Sequence, residues 1–108
     1  MTHTTYKSAI RKFGGIRKMR SEFKKIENAL KGVKIFAEHQ FNEEEPDDLN
    51  QDWLNILFEY DRTDEGYGSF TKAEDDVERL LYKKGLYLVY ECDGDGDGII
   101  MSYRVKSY

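Results

Sequence analysis

The hydrophobic period of this chain changes from helical to extended at a single residue. Ile16, Met19, Phe23, Ile26, Leu30 and Val33 fall three and four positions apart, which gathers them on one stripe of a helix. From Val33 onward the spacing is two. Val33, Ile35, Ala37, His39 and Phe41 share one strand face, and Lys34, Glu38 and Gln40 the other. A chain that makes this switch is confined to folds in which amphipathic helices cover a sheet.

The helix reads from about residue 16 to 31, with Lys31 in the last turn and Gly32 as its C-terminal cap. Gly14 and Gly15 mark a break, because two adjacent glycines cost roughly 2 kcal/mol against alanine inside a helix. Upstream, Tyr6, Ile10 and Phe13 continue the stripe as a weaker turn or short separate helix. Trp53 to Arg62 resumes strand character, with Leu54, Ile56, Phe58 and Tyr60 on one face. Thr63 to Phe70, carrying Gly66 and Gly68, reads as loop. Thr71-Lys-Ala-Glu74 has the spacing of a capping box, followed by a buried stripe of Ala73, Val77, Leu80 and Leu81 and by Lys83-Lys84 before Gly85. Leu86–Cys92 and Ile99–Lys106 read as two strands around an Asp/Gly turn, with Ile99, Met101, Tyr103 and Val105 inward.

The expected fold is α+β: a single four-stranded, mainly antiparallel sheet with two helices on one face, in the order α-β-β-α-β-β. At 108 residues this is one small domain spanning 1–108, with 1–4 and 42–51 expected to be flexible. An apolar content of 39%, including 14% aromatic, suffices for a core despite 35% charged residues. The lone Cys92 permits no internal disulfide and suits a reducing compartment. No apolar run approaches the ~18 residues of a membrane span, and Met1 to Ile10 lacks the apolar stretch of a signal peptide. A cytoplasmic protein with no membrane partner is expected.

Charge is sorted along the chain. Residues 1–40 carry ten Lys/Arg against three Asp/Glu, a balance of +7, and residues 41–108 carry seven against eighteen, −11. Three readings follow. The favoured one is a small non-enzymatic binding or inhibitory module that engages a basic macromolecule, a nucleic-acid-binding protein by class, through an acidic face. That face would comprise Glu43, Glu44, Glu45, Asp47, Asp48, Asp61, Asp64, Glu65, Asp75, Asp76 and Glu78, with Trp53 and Tyr67 as aromatic anchors. The second is direct nucleic-acid binding by the basic helix, through Arg17, Lys18, Arg20, Lys24 and Lys25, with few aromatic residues interleaved on that face and no base-stacking platform apparent. The same helical stripe matches a short a/d seam, which leaves a monomer or a homodimer through residues 16–31.

The third reading is a metal site. Asp93-Gly-Asp-Gly-Asp-Gly98 resembles the first half of an EF-hand calcium loop, with Asp93, Asp95 and Asp97 at positions one, three and five and Gly98 at six. Position twelve is Arg104 instead of a bidentate Glu, and both flanks read as strands. A hairpin turn therefore accounts for the motif better than calcium does. Catalytic signatures are poor. His3 and His39 lack partners at metal-ligand spacing, and Cys92 stands beside an acidic turn, a poor setting for a thiolate nucleophile. No cofactor and no enzymatic activity are expected.

Overall fold

In the computed structural model, residues 3–41 and 52–108 are described. The acidic segment with Glu43, Glu44, Glu45, Asp47 and Asp48 lies outside them, as do the two N-terminal residues. Thr5 opens the first helix, α1 (Tyr6–Phe13): its hydroxyl accepts from the Ser8 N–H at 3.2 Å. Gly14, at φ 86°, closes it by turning its own N–H back to the carbonyls of Arg11 and Ile10. Gly15 then restarts the chain as α2 (Ile16–Asn28). The glycine pair thus separates two complete helices, and the expected two-helix count is corrected to three among the described residues.

The stripe of α2 turns inward. Met19 and Phe23 are buried, Ile26 and Leu30 pack against the core, and Val33 continues the buried row. The helix stops a turn earlier than expected, and Gly32, at φ 83°, swings the chain into β1 (Val33–Phe41). The strands β2 (Asp52–Tyr60), β3 (Leu86–Asp95) and β4 (Ile99–Ser107) complete one sheet in the order β1-β2-β4-β3, with every neighbouring pair antiparallel. Together with α3 (Asp64–Tyr82) the order is α-α-β-β-α-β-β. Asp61 and Arg62, expected in the second strand, have already left the sheet.

The start of α3 is the second correction. Thr63, not Thr71, is the N-cap, and its hydroxyl accepts from the Gly66 N–H at 2.9 Å. Thr71 sits inside the helix and donates to the Gly68 carbonyl at 2.9 Å, a back-bond that competes with no cap. The segment 63–70 is helical because Phe70 and Ser69 are buried there, an energy gain that outweighs the low propensity of two glycines. Asp64 and Glu65 occupy the first turn, where the helix dipole favours them.

All three helices bury their apolar stripes against the same sheet face. Ala9 and Phe13 of α1, Met19 and Phe23 of α2, and Phe70, Ala73, Val77 and Leu81 of α3 share one core with Ile35, Leu54, Ile56, Phe58, Leu86, Tyr103 and Val105. Phe58 lies at its centre, edge-on to Phe70 and to Tyr103 at 5.6 and 5.5 Å between ring centroids. Strand alternation sends Phe36, Trp53, Leu57, Ile100 and Arg104 to the opposite, helix-free face.

Candidate functional site

Strand register brings two acidic segments, distant in sequence, to one end of the sheet. Tyr60 at the end of β2 pairs with Ile99 at the start of β4, which pairs in turn with Asp95 at the end of β3. The β3–β4 turn packs directly on the backbone where β2 leaves the sheet: a Cβ at Gly98 would stand 2.3 Å from the Tyr60 carbonyl oxygen. The first turn of α3 meets the same place, since a Cβ at Gly66 would stand 2.2 Å from the Asp61 oxygen. Asp61, Asp64 and Glu65 are thereby gathered with Asp93, Asp95 and Asp97, all six exposed.

Arg62 bridges the two segments, with one guanidinium nitrogen 2.6 Å from Asp95 Oδ1. Both partners are well exposed, so water and salt limit this pair to about 0–1 kcal/mol of stability. The Tyr90 hydroxyl donates to Asp93 at 3.0 Å. Asp61 and Asp97, with Glu59 and Lys34, line a shallow groove of about 260 Å³. Tyr67 is 57% exposed on α3 one turn after Asp64, and its ring rests 6.1 Å from that of Tyr60.

The remaining acids of α3 are less free. Asp75 pairs with Arg79 at 2.8 Å and Asp76 with Lys72 at 3.1 Å, each one helical turn apart. Glu78 has its pKa raised above the ordinary value by burial first, then by the Glu74 and Asp75 carboxylates. The Tyr103 hydroxyl donates to Glu74, and burial together with that carboxylate keeps the phenol protonated far above its usual range.

Trp53 does not join the acidic end. It lies on the helix-free sheet face, with the Arg104 guanidinium 3.8 Å over its ring and its indole N–H donating to Asn55 Oδ1 at 3.3 Å. The reason is the pleat: Leu54 takes the inward position, so Trp53 must point the other way. Its position relative to Glu43–Asp48 lies outside the described residues.

Arg17, Lys18, Arg20, Lys24 and Lys25 are all exposed on α2, and Lys24 is paired with Glu27 at 3.1 Å. Arg20 and Lys24 line a groove of about 600 Å³ between α2 and β1, together with Lys34, Phe23 and Phe36. Met19 and Phe23 of this helix are buried in the chain's own core, with Ile26 packed against it, and Ile16 is exposed.

Asp93–Asp95 close the strand β3 and Gly96–Gly98 make the hairpin turn, with a bulge at Glu91 between the paired residues Tyr90 and Cys92. Among the described residues no group of three or more His, Cys, Asp or Glu converges to hold a metal ion. His39 stacks on Tyr6 at 3.9 Å between centroids and bonds to Asp52 at 2.9 Å, which occupies it structurally. Cys92 is exposed.

Sequence reasoning missed the union of 61–65 with 93–97 and the bridging part of Arg62. No local signal carries it, because it depends on which strands are neighbours. Compared with family models, with curated proteins and with solved structures, the chain matches none, and what its surface can do follows from its own side chains.

Proposed function

We propose that this chain is a small non-enzymatic binding module whose acidic end, continued along the outer face of α3, engages a basic macromolecular partner. A nucleic-acid-binding protein is the class that fits, because its basic groove is complementary to closely set carboxylates, and occupancy of that groove would exclude nucleic acid. One observation carries the reading. Asp61, Asp64 and Glu65 follow β2, and Asp93, Asp95 and Asp97 come from the remote β3–β4 hairpin, yet the two segments meet at one end of the sheet, where Asp61 and Asp97 line one groove and Arg62 pairs with Asp95. Stability alone accounts for Asp64 and Glu65 at a helix start. It gives no reason to bring a second acidic segment against them, where like charges repel.

The test is capture with the wild-type chain and with an Asp61→Lys, Asp64→Lys, Glu65→Lys, Asp97→Lys variant, followed by titration calorimetry of the purified partner. Binding that weakens steeply with salt and falls by one to three orders of magnitude in the variant is expected. Unchanged affinity of a folded variant would overturn the reading. The basic α2 supplies the competing outcome. If random duplex DNA binds at low salt and Arg17→Glu, Lys18→Glu, Arg20→Glu abolishes it, the chain is a nucleic-acid binder instead.

A further inference from the structure

Where α3 ends against the edge strand β3, a groove of about 570 Å³ opens, with Tyr82, Tyr87 and Tyr108 on its walls and Asp75, Glu78 and Arg79 along its helical side. The three rings come from the end of α3, the start of β3 and the residue after β4. Tyr108 stands edge-on to Tyr82 at 5.9 Å and 87°, and tilted to Tyr87 at 4.8 Å and 43°. Each ring is thus positioned by another. Even so, Tyr82 and Tyr108 are 70% and 67% exposed, an arrangement that leaves aromatic faces free for a guest. The Tyr87 hydroxyl is buried and has no hydrogen-bond partner among the described residues.

The electrostatics of the wall select the guest. Tyrosine faces are negative, and the Glu78 carboxylate lies on the same wall. A carboxylate beside aromatic faces suits an organic cation. Asp75 is already paired with Arg79 at 2.8 Å, which leaves Glu78 to meet the guest. Arg79 and Lys83, also on the wall, carry the same sign as the guest; Arg79 is neutralised by Asp75, and Lys83 is left to oppose it.

We infer that this groove receives the guanidinium of an arginine side chain, stacked on Tyr82 and Tyr108 and hydrogen-bonded to Glu78. A planar guanidinium fits because it stacks on aromatic faces, forks onto a carboxylate and is more weakly hydrated than an ammonium group. The unpartnered Tyr87 hydroxyl oxygen is available to accept from a guanidinium N–H of the same guest. This inference rests on the proposed function and deepens it: the basic partner presents an arginine as its anchor, and the groove lies on the same helix as Asp75 and Asp76.

The test uses the whole protein with labelled tyrosine rings and N-acetyl-arginine methylamide as the probe, followed by NMR. Saturable shifts at Tyr82, Tyr87 and Tyr108 are expected, with a Kd on the order of millimolar, weaker binding of the capped lysine, and none of the neutral capped citrulline. Tyr82→Ala and Tyr108→Ala, both at exposed positions, each weaken the probe by roughly fivefold, and Glu78→Gln by roughly tenfold. Lys83→Ala tightens it by about twofold, an effect that burial of a neutral guest would not produce. No saturable shift, equal binding of citrulline, or indifference to Glu78→Gln and Lys83→Ala would overturn the inference. Because the probe needs no macromolecular partner, the two proposals fail separately. Arginine binding in this groove survives a negative result at the acidic end, and loss of partner binding on charge reversal survives a groove that takes no arginine.

Discussion

Glu27 on α2 accepts a hydrogen bond from the backbone N–H of Ile35 at 2.9 Å, with its carboxylate standing where a neighbouring strand's carbonyl would be. Because β1 is an edge of the sheet, that N–H would otherwise be left without a strand partner. The same carboxylate holds Lys24 through its other oxygen. Glu27 therefore fixes the helix to the sheet and blunts the edge at once.

Glu27→Ala is expected to lower stability by about 1.5–3 kcal/mol, the worth of a hydrogen bond to a charged group, while Glu27→Gln keeps an acceptor and loses less. Urea unfolding of the two variants measures this. Light scattering of concentrated samples should also rise for the alanine variant as the edge is opened. Equal stabilities for wild type and Glu27→Ala would show that the bond contributes nothing.

Two glycines in one helix should respond in opposite ways to alanine. Gly66→Ala drives a Cβ to within 2.2 Å of the Asp61 carbonyl oxygen and is expected to cost about 1–3 kcal/mol as the first turn of α3 is pushed off β2. Gly68→Ala meets nothing within 4 Å and should stabilise by about 0.5–1 kcal/mol through helix propensity. Thermal midpoints moving in the same direction would contradict the close approach at Gly66.

The N-cap of α3 can be located by substitution. Thr63→Ala removes the acceptor for the Gly66 N–H and is expected to cost about 1 kcal/mol. Thr71→Ala loses only an exposed back-bond inside the helix and should be close to neutral. If Thr71→Ala were the costlier of the two, the helix would begin there instead.

Glu78 gives a pH dependence with a definite sign. Its folded-state pKa is raised above 4.5, so its contribution to stability is complete below the ordinary glutamate value and is lost as pH rises through the raised one. Near neutral pH the ionised side chain weakens the fold, and Glu78→Gln is expected to raise the melting temperature there. The gain should vanish in acid, below about pH 4, where the wild-type group is protonated in both states. A variant gain that is the same at both pH values would remove burial and the Glu74 and Asp75 charges as its cause. The same substitution is expected to weaken arginine binding, so stability and recognition at this residue pull apart.

Much of the fold was legible because the relevant patterns are local. The 3-4 spacing of Met19 to Val33 and the alternation in Leu54, Ile56, Phe58 and Tyr60 read directly as core-facing rows, while Ile16, at the start of the same stripe, is exposed. The helix start at Thr63 was not legible, since Thr71-Lys-Ala-Glu74 offers a better capping signal in isolation. Burial of Ser69 and Phe70 decided against it. The face on which Trp53 lies follows from the pleat of β2, which turns it away from the core and under the Arg104 guanidinium.

By itself the sequence determined the element types, the inward faces and the separation of basic from acidic charge, because helix and strand geometry act over a few residues. Only the tertiary structure decided that 61–65 and 93–97 share one end of the sheet. It likewise decided that Tyr82, Tyr87 and Tyr108 wall one groove, and that the basic helix buries Met19 and Phe23 in the chain's own core. Those outcomes depend on which strands become neighbours. That choice is made by summed burial across residues far apart in the chain, which no local pattern encodes.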